Sequence, residues 1–213
     1  VIKDHQKFII KKNKFFDLHL NNYAGPEAQV AAIADDIAYC NHDIDDGLRA
    51  GLFTLTEIEE ISHVGSVLDF NRSKWKNIED RRLIHETIRS LINTMIDDVV
   101  NEFGIIIRKE KFKDVQDIRN YNETVVRFSK KMFNKNEELR KFLFNRMYKH
   151  TIVNRMTIKA KKIIEDLFTA FINDIHLLPS KWRFEANNAK SNMKVYRLIS
   201  DYIAGMTDRY AVM

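Results

Sequence analysis

Apolar residues recur at intervals of three and four along most of this 213-residue chain. That spacing is typical of helices that bury one face. It predicts helices over 79–103, 134–150, 158–175 and 196–213. The longest apolar seam consists of Ile84, Ile88, Leu91, Ile92, Met95 and Val99.

The stretch 27–51 predicts a further helix, and this one has two unlike faces. With Ile33 as the origin of a helical wheel, the apolar residues Val30, Ile37 and Ile44 fall within roughly 60° of it. The opposite side carries a row of polar residues three or four positions apart. This row consists of Asp35, Tyr39, His42, Asp43 and Asp46.

Turn and capping residues set the predicted boundaries. Gly25-Pro26 marks the start of the 27–51 helix, and Gly47 is a candidate for its C-cap. The segment 54–57 has the form of a capping box, so another helix should start there. The segment 104–123 leaves two possibilities open, since 105–107 suits a short strand and 108–113 a solvated loop or helix end. Gly205 is expected inside the last helix, where close packing would explain it.

Composition favours an all-α protein over a sandwich or barrel. Hydrophobic residues make up 45% of the chain, with only 6 glycines and 2 prolines. No apolar run approaches the length of a membrane span, and no secretory signal is visible. The single Cys40 cannot form an internal disulfide, which fits a reducing cytoplasm.

The net charge of +5 is unevenly distributed. Residues 27–60 carry nine acids and one arginine, or −8, so the remainder carries 34 bases and 21 acids, or +13. An acidic centre in a basic surround suits a metal site that receives a polyanion. Ordinary charge mixing on a globular surface is the alternative, and the acidic row could equally be a solvated helix face. Against the second alternative, no lysine or arginine precedes Arg49 on this helix to form i,i+4 pairs.

Four segments resemble the deoxyguanosinetriphosphate triphosphohydrolase-like (dGTPase-like) family of HD-domain metal phosphohydrolases. They are 27–39 (EAQVAAIADDIAY), 41–51 (NHDIDDGLRAG), 146–150 (RMYKH) and 201–210 (DYIAGMTDRY). The resemblance implies an all-α, HD-domain-type multi-helix bundle that is incomplete at the N-terminus. Within it, 1–26 would be an entry segment, 27–103 HD-core helices and 104–213 a C-terminal helical region.

The resemblance also implies an activity, the metal-dependent hydrolysis of dGTP or another dNTP to deoxynucleoside and inorganic triphosphate. In the family, a His, an adjacent His-Asp pair and a distant Asp bind a divalent metal. Asp35 would be the distant Asp, Tyr39 would lie against the deoxyribose, and Asp43 would bind the sugar 3′-hydroxyl. Lys76, Arg81 and Arg82 are candidates for phosphate or sugar contacts, with a solvated basic face as the alternative.

His42-Asp43 looks like the name-giving pair, yet in the family that pair belongs to an upstream segment that has no match here. We therefore expect the remaining ligands to precede Val1, and we assign no catalytic residue in this chain. One carboxylate cannot hold Mg²⁺ or Mn²⁺ tightly, so the chain alone should be inactive and should need an N-terminal segment in cis or trans. The family's usual extension after 201–210 has no counterpart either.

Three further interpretations concern partners and secondary sites. A non-catalytic interaction or oligomerisation fragment is the main alternative to an enzyme, and the family resemblance also implies a homo-oligomer. Basic residues interleaved with aromatics at 130–133 and 140–142 allow contact with single-stranded DNA, although helix patterning explains them equally well. Tyr148 and His150 are expected to pack and form hydrogen bonds, and Asp208 and Arg209 to form an internal pair. The expected location is cytoplasmic, without a membrane partner.

Overall fold

The computed structural model describes residues 9–17 and 19–213, and this part of the chain is all α-helical, without strands. Residues 1–8 and 18 of the predicted entry segment lie outside the described residues, while 9–13 are helical. The α-helices of the first half are α1 (Pro26–Arg49), α2 (Leu55–Glu59), α3 (Ser62–Lys74), α4 (Asp80–Glu110) and α5 (Val115–Asn120). They are followed by α6 (Lys130–Leu143), α7 (Thr151–Asn173), α8 (Ser180–Asn187), α9 (Asn192–Ala204) and α10 (Asp208–Ala211).

Two predicted helix starts are confirmed. Gly25 is the N-cap of α1 and Pro26 its first residue, where the missing N–H of proline costs nothing. Thr54 caps α2 through the complete capping box, since its Oγ1 accepts from the backbone N–H of Glu57 while that side chain accepts from the N–H of Thr54.

The prediction that Gly47 caps α1 is wrong. The helix continues to Arg49, and Gly47 lies inside it against the ring of Phe53. A Cβ at position 47 would lie 2.2 Å from Cε1 of that ring, so the glycine serves close packing. The turn that follows uses Gly51, whose φ of +65° is readily adopted only by glycine.

The short strand considered for 105–107 is also wrong, because α4 runs through this segment to Glu110. Ile106 continues the buried seam of Leu91, Met95 and Val99 at helical spacing, so the core contact favours helix. The helix ends at Lys111, which adopts a left-handed conformation with φ of +54°.

Other boundaries shift because the capping residues lie elsewhere. Ser129 caps α6, which therefore begins four residues before Asn134 and ends in a π-helical turn, Phe144–Tyr148. His150 caps α7, its Nδ1 accepting the backbone N–H of Ile152 at 3.3 Å, as the expected hydrogen-bonding role requires. Gly205 follows the last residue of α9 instead of lying inside a longer helix.

The described chain forms two compact units, one ending at Met147 and one comprising Tyr148–Met213. In the first unit, α1 packs on α4 and α6, and α3 packs on α4. Its core contains fully buried residues from most of these helices, so residues on both sides of position 104 share one core. They are Ile44, Ile58, Val64, Leu68, Leu91, Met95, Leu139 and Leu143.

The second unit has a smaller core formed by α7, α8 and α9. Ile199 is fully buried, and Phe171, Leu178 and Ala186 surround it. The ring of Tyr202 makes edge contacts with Phe171, and its hydroxyl lies 3.0 Å from that of Tyr210. No described helix of either unit is apolar over a length sufficient to cross a bilayer.

Candidate functional site

Helix α1 has two unlike faces, as its sequence predicts, but the buried face consists of partly different residues from those expected. Ile37 and Ile44 are buried, but Val30 is 51% exposed, and the core side instead includes Cys40 and Asn41. The Nδ2 of Asn41 donates to the backbone carbonyl of Ile37 and contacts the sulfur of Met95, whereas its buried Oδ1 has no hydrogen-bond partner among the described residues.

The three residues implied by the family resemblance follow one side of α1 at i, i+4 and i+8, but they differ in exposure. Asp35 is exposed, and no ion pair or hydrogen bond joins its carboxylate to another described residue. Tyr39 is 59% exposed, whereas Asp43 is buried, with only 8% of its surface accessible. Asp35 and Tyr39 are therefore open to a ligand from the solvent side.

Two other carboxylates of α1 have cationic partners. Asp36 contacts Arg140 of α6 at 2.9 Å, and Asp45 contacts Arg49 one turn later at 2.8 Å. Arg140 also approaches the thiol of Cys40. Burial raises the pKa of this thiol, while the hydrogen bond and the charge of Arg140 act in the opposite direction. The side chains of Asp35 and Asp46 take no part in these pairs.

An open apolar groove lies beside the exposed polar row. This α1–α4 groove has a volume of about 350 Å³ and is lined almost entirely by carbon. The exposed fractions of Ile96 and Val100 on α4 are 45% and 61%. Sequence reasoning missed this surface, although Ile96, Val100 and Phe103 form a second apolar stripe beside the predicted seam. The lining residues are Val30, Ile33, Ala34, Ile37, Ala38, His42, Ile92, Ile96, Val99, Val100, Phe103 and Val126.

The candidate phosphate-binding residues Lys76, Arg81 and Arg82 are exposed at the corner between α3 and α4. The guanidinium of Arg82 lies 5.6 Å from the ring centre of Trp75. Met95 of α4 contacts α1. Arg81 lies fourteen residues before Met95, which corresponds to ~21 Å along the axis of α4. Of the three basic residues, Arg82 is the one with a recorded contact, and that contact is with Trp75.

The described residues do not assemble a complete metal site. Among residues 9–17 and 19–213, no three His, Cys, Asp or Glu side chains lie close enough together to hold one ion. His42 is exposed next to the groove, but it adds at most one nitrogen to the carboxylate of Asp35. Divalent cations such as Mg²⁺ require several oxygen ligands, so any such site needs groups beyond those described.

The second part of the chain matches a known domain family. Residues 126–213 match the phosphohydrolase-associated domain. This match includes α6, the π-helical turn and the whole second unit.

Relatives are similar over nearly the whole chain. A deoxyguanosinetriphosphate triphosphohydrolase-like protein of Parvibaculum lavamentivorans is 41% identical over 211 residues, which cover 99% of this chain and 53% of the relative. Proteins of the same description from Azorhizobium caulinodans and Rickettsia bellii are 43% and 37% identical, covering 96% and 97% of this chain. The chain spans 50% and 54% of these two, so it represents about half the length of the relatives it matches. The resemblance drawn from the sequence blocks is confirmed.

Proposed function

We propose that this chain, a relative of the deoxyguanosinetriphosphate triphosphohydrolase-like proteins over nearly its whole length, forms part of an enzyme that hydrolyses dGTP or another dNTP. The products would be a deoxynucleoside and inorganic triphosphate. The name of the relatives supports the substrate class, and the phosphohydrolase-associated domain supports the reaction type.

One structural observation carries the proposal, the uncovered α1–α4 groove beside the exposed side of α1 that bears Asp35. Asp35 does not line the groove itself, but Ala38, three residues later on the same side of the helix, does. An ordinary solvated acidic face would adjoin polar surface, whereas here the adjoining surface is apolar and uncovered. Further protein packed into the groove would cover it and would place new side chains next to the Asp35 carboxylate.

In the complete enzyme, Asp35 would provide one oxygen ligand to a divalent metal, with Mg²⁺ or Mn²⁺ suited to carboxylates. Because the described residues do not complete this site, we propose that the isolated chain is inactive. Its His and His-Asp ligands would come from a segment present in cis or trans.

Substrate contacts follow the same side of α1. Tyr39 is the more exposed residue, with 59% of its surface accessible, and would pack against the deoxyribose. Asp43, with 8% of its surface accessible, would bind the 3′-hydroxyl. Arg81 and Arg82, in the first turn of α4, and Lys76, just before it, are proposed as phosphate or sugar contacts with less support, because no observation links them to Asp35.

A second candidate function is a non-catalytic module that binds another protein or a second copy of the chain. The uncovered α1–α4 groove also favours this function, because exposed apolar surface of this kind often marks an interaction site. Only the hydrolase function requires the Asp35 carboxylate. Docking of another protein into the groove requires the apolar side chains of Ile96 and Val100 but no carboxylate.

The proposed function can be tested by reconstitution. The 213-residue chain is incubated with dGTP and Mg²⁺ or Mn²⁺, alone and together with the part of the Parvibaculum lavamentivorans relative that this chain does not match. We expect no turnover by the chain alone, and triphosphate with deoxyguanosine from the mixture. Val100→Glu should prevent both docking and turnover, while Val115→Glu, at an exposed valine outside the groove, should prevent neither.

Three results would contradict the proposal. They are turnover by the chain alone, release of orthophosphate or pyrophosphate in place of triphosphate, and tight docking of the two parts without any hydrolysis. The last result would favour the non-catalytic module.

A further inference from the structure

An uncovered apolar strip runs along the N-terminal half of α7 in the second unit. This α7 strip consists of Ile152, Met156, Ala160 and Ile164, which follow one another at intervals of four residues. Successive members are about 40° apart on a helical wheel, so all four lie on one side of the helix. The exposed fractions of Ile152, Met156 and Ile164 are 60%, 62% and 53%. A continuous exposed apolar surface of this kind often marks an interaction site.

The same side of α7 is a helix–helix contact in the C-terminal half. Leu167 and Phe171 lie on it and belong to the core in which α7 packs on α9. Helix α7 has 23 residues and a length of ~35 Å, whereas α9 has 13 residues and a length of ~20 Å. Helix α9 therefore leaves ~15 Å of this side of α7 uncovered, a length that a further helix of about three turns would cover.

A cavity lies where the α7 strip meets the covered half of the helix. It has a volume of about 410 Å³ and is lined mainly by apolar residues, including Ile164 and Phe168 of α7 with Ile203 and Met206 at the end of α9. Helices that dock on apolar surfaces commonly insert one large side chain into such a cavity as an anchor. Because Asp208 also lines the cavity, the anchor that fits it is apolar and not acidic.

The charges beside the α7 strip are positive. Residues 148–164 contain no acid and five bases, which are Lys149, Arg155, Lys159, Lys161 and Lys162. Arg155, Lys159 and Lys161 lie within about 60° of an edge of the strip on the helical wheel. Lys161 lies 3.8 Å from Glu165, whereas no ion pair of the described chain involves Arg155 or Lys159. A partner with carboxylates on both flanks of its apolar face would complement these charges.

Two other occupants fit this surface less well. A second copy that used the same strip would bring the same five bases to the contact, and like charges repel. A basic amphipathic helix can also lie on an anionic membrane, but its apolar face then typically carries Trp, Phe or Leu. The α7 strip contains isoleucine, methionine and alanine and no aromatic residue.

We propose that the α7 strip binds an acidic amphipathic helix of another protein. The partner helix would place apolar residues at i, i+3, i+4 and i+7 on the strip and aspartates or glutamates on both flanks. One of its large apolar side chains would enter the cavity beside Ile164. This contact requires neither Asp35 nor the α1–α4 groove, so a failure of the reconstituted hydrolysis would leave it unaffected.

Fluorescence anisotropy with the full 213-residue chain tests this proposal. The probe is a labelled peptide of about five turns, held helical by a side-chain crosslink, with leucines along one face and glutamates along both flanks. A second peptide carries the same leucines with lysines in place of the glutamates. We expect saturable binding of the glutamate peptide that weakens as salt is added, and binding of the lysine peptide that is weaker by about tenfold or more.

Substitutions on α7 separate the strip from the rest of the helix. Met156→Glu, in the middle of the strip, should weaken binding of the glutamate peptide by about tenfold or more. Ile158→Glu is the matched control, because Ile158 is 69% exposed on the same helix but points about 200° away from Met156. It should leave the affinity within about twofold. Both positions are exposed, and equal unfolding temperatures of the two variants verify that the fold is retained.

The proposal is overturned if the two peptides bind equally, if the glutamate peptide does not bind, or if Met156→Glu and Ile158→Glu have the same effect. Two further results would assign the strip to another occupant and so refute it. One is a dimer in analytical ultracentrifugation that Met156→Glu dissociates. The other is binding to vesicles of phosphatidylcholine and phosphatidylglycerol that Met156→Glu abolishes while Ile158→Glu does not.

Discussion

The close packing of Gly47 against Phe53 allows one stability prediction to be worked out in detail. In Gly47→Ala, the new methyl group would start 2.2 Å from the ring, and ordinary contact begins near 3.4 Å, so the ring must retreat by about 1.2 Å. Phe53 is 3% exposed, and the ring of Phe142 meets it edge to face at 5.1 Å. The ring therefore has little room to move.

Overpacking of this kind costs about 1–3 kcal/mol, and replacing a helical glycine by alanine returns about 1 kcal/mol. We expect Gly47→Ala to destabilise the first unit by up to about 2 kcal/mol. In a Phe53→Leu background the clashing ring atoms are absent, and the same change should become neutral or stabilising by up to about 1 kcal/mol. The coupling between the two positions would then be about 2 kcal/mol.

Urea unfolding followed by Trp75 fluorescence measures this cycle, with Trp182→Phe present in every variant so that only the first unit reports. Gly104→Ala is the matched control, because Gly104 is also helical but its Cβ would meet only the flexible side chain of Arg108, at 3.5 Å. It should stabilise the unit by about 0.5–1 kcal/mol. The packing argument is refuted if Gly47→Ala has the same effect in both backgrounds.

Further predictions concern titration, capping and thiol reactivity. Burial, aided by the charge of Lys135, lowers the pKa of His63 to about 4, so the unfolded chain binds this proton first as the pH falls. Urea unfolding should show stability that is full above pH ~6.5 and falls by about 3 kcal/mol towards pH ~4, with a smaller loss in His63→Gln, and an equal loss would contradict this account. Thr54→Ala should cost about 0.5–2 kcal/mol in the same urea assay, because it breaks the capping box of α2, and an unchanged midpoint would argue against that role. Since burial raises the pKa of Cys40, a thiol reagent at pH 8 should modify the native chain far more slowly than the urea-unfolded chain, and Arg140→Leu should slow the native reaction further. Equal rates in native and unfolded chains would show that the thiol is accessible.

Helical periodicity predicted most of the fold because each helix keeps one continuous apolar seam. Leu91, Met95 and Val99 are buried as their spacing indicates, and the capping box at Thr54 starts a helix as its local chemistry requires. Boundaries were missed where a distant residue decides the local conformation. Gly47 continues α1 because Phe53 packs on it, and 105–107 is helical because Ile106 reaches the core.

The candidate site was predictable only in part. The helical spacing placed Asp35 and Tyr39 together on an accessible side of α1, but it could not show that Asp43 is buried. The α1–α4 groove depends on how α4 crosses α1, and this tertiary arrangement leaves no local pattern in the sequence. Asn41 and Asn136 show the same limit, since nothing in the sequence indicates that each has a buried Oδ1 without a hydrogen-bond partner.

The role of Asp35 in catalysis is the central claim, and one comparison tests it most directly. Triphosphate release from dGTP is measured with the reconstituted protein carrying either Asp35→Asn or Asp46→Asn. Both residues are exposed acids of α1 whose side chains make no ion pair with a described residue, so the two substitutions change charge and helix alike. The account predicts that Asp35→Asn lowers the turnover rate by a factor of 100 or more, whereas Asp46→Asn leaves it within twofold of the unsubstituted protein. Equal turnover by the two variants would contradict it.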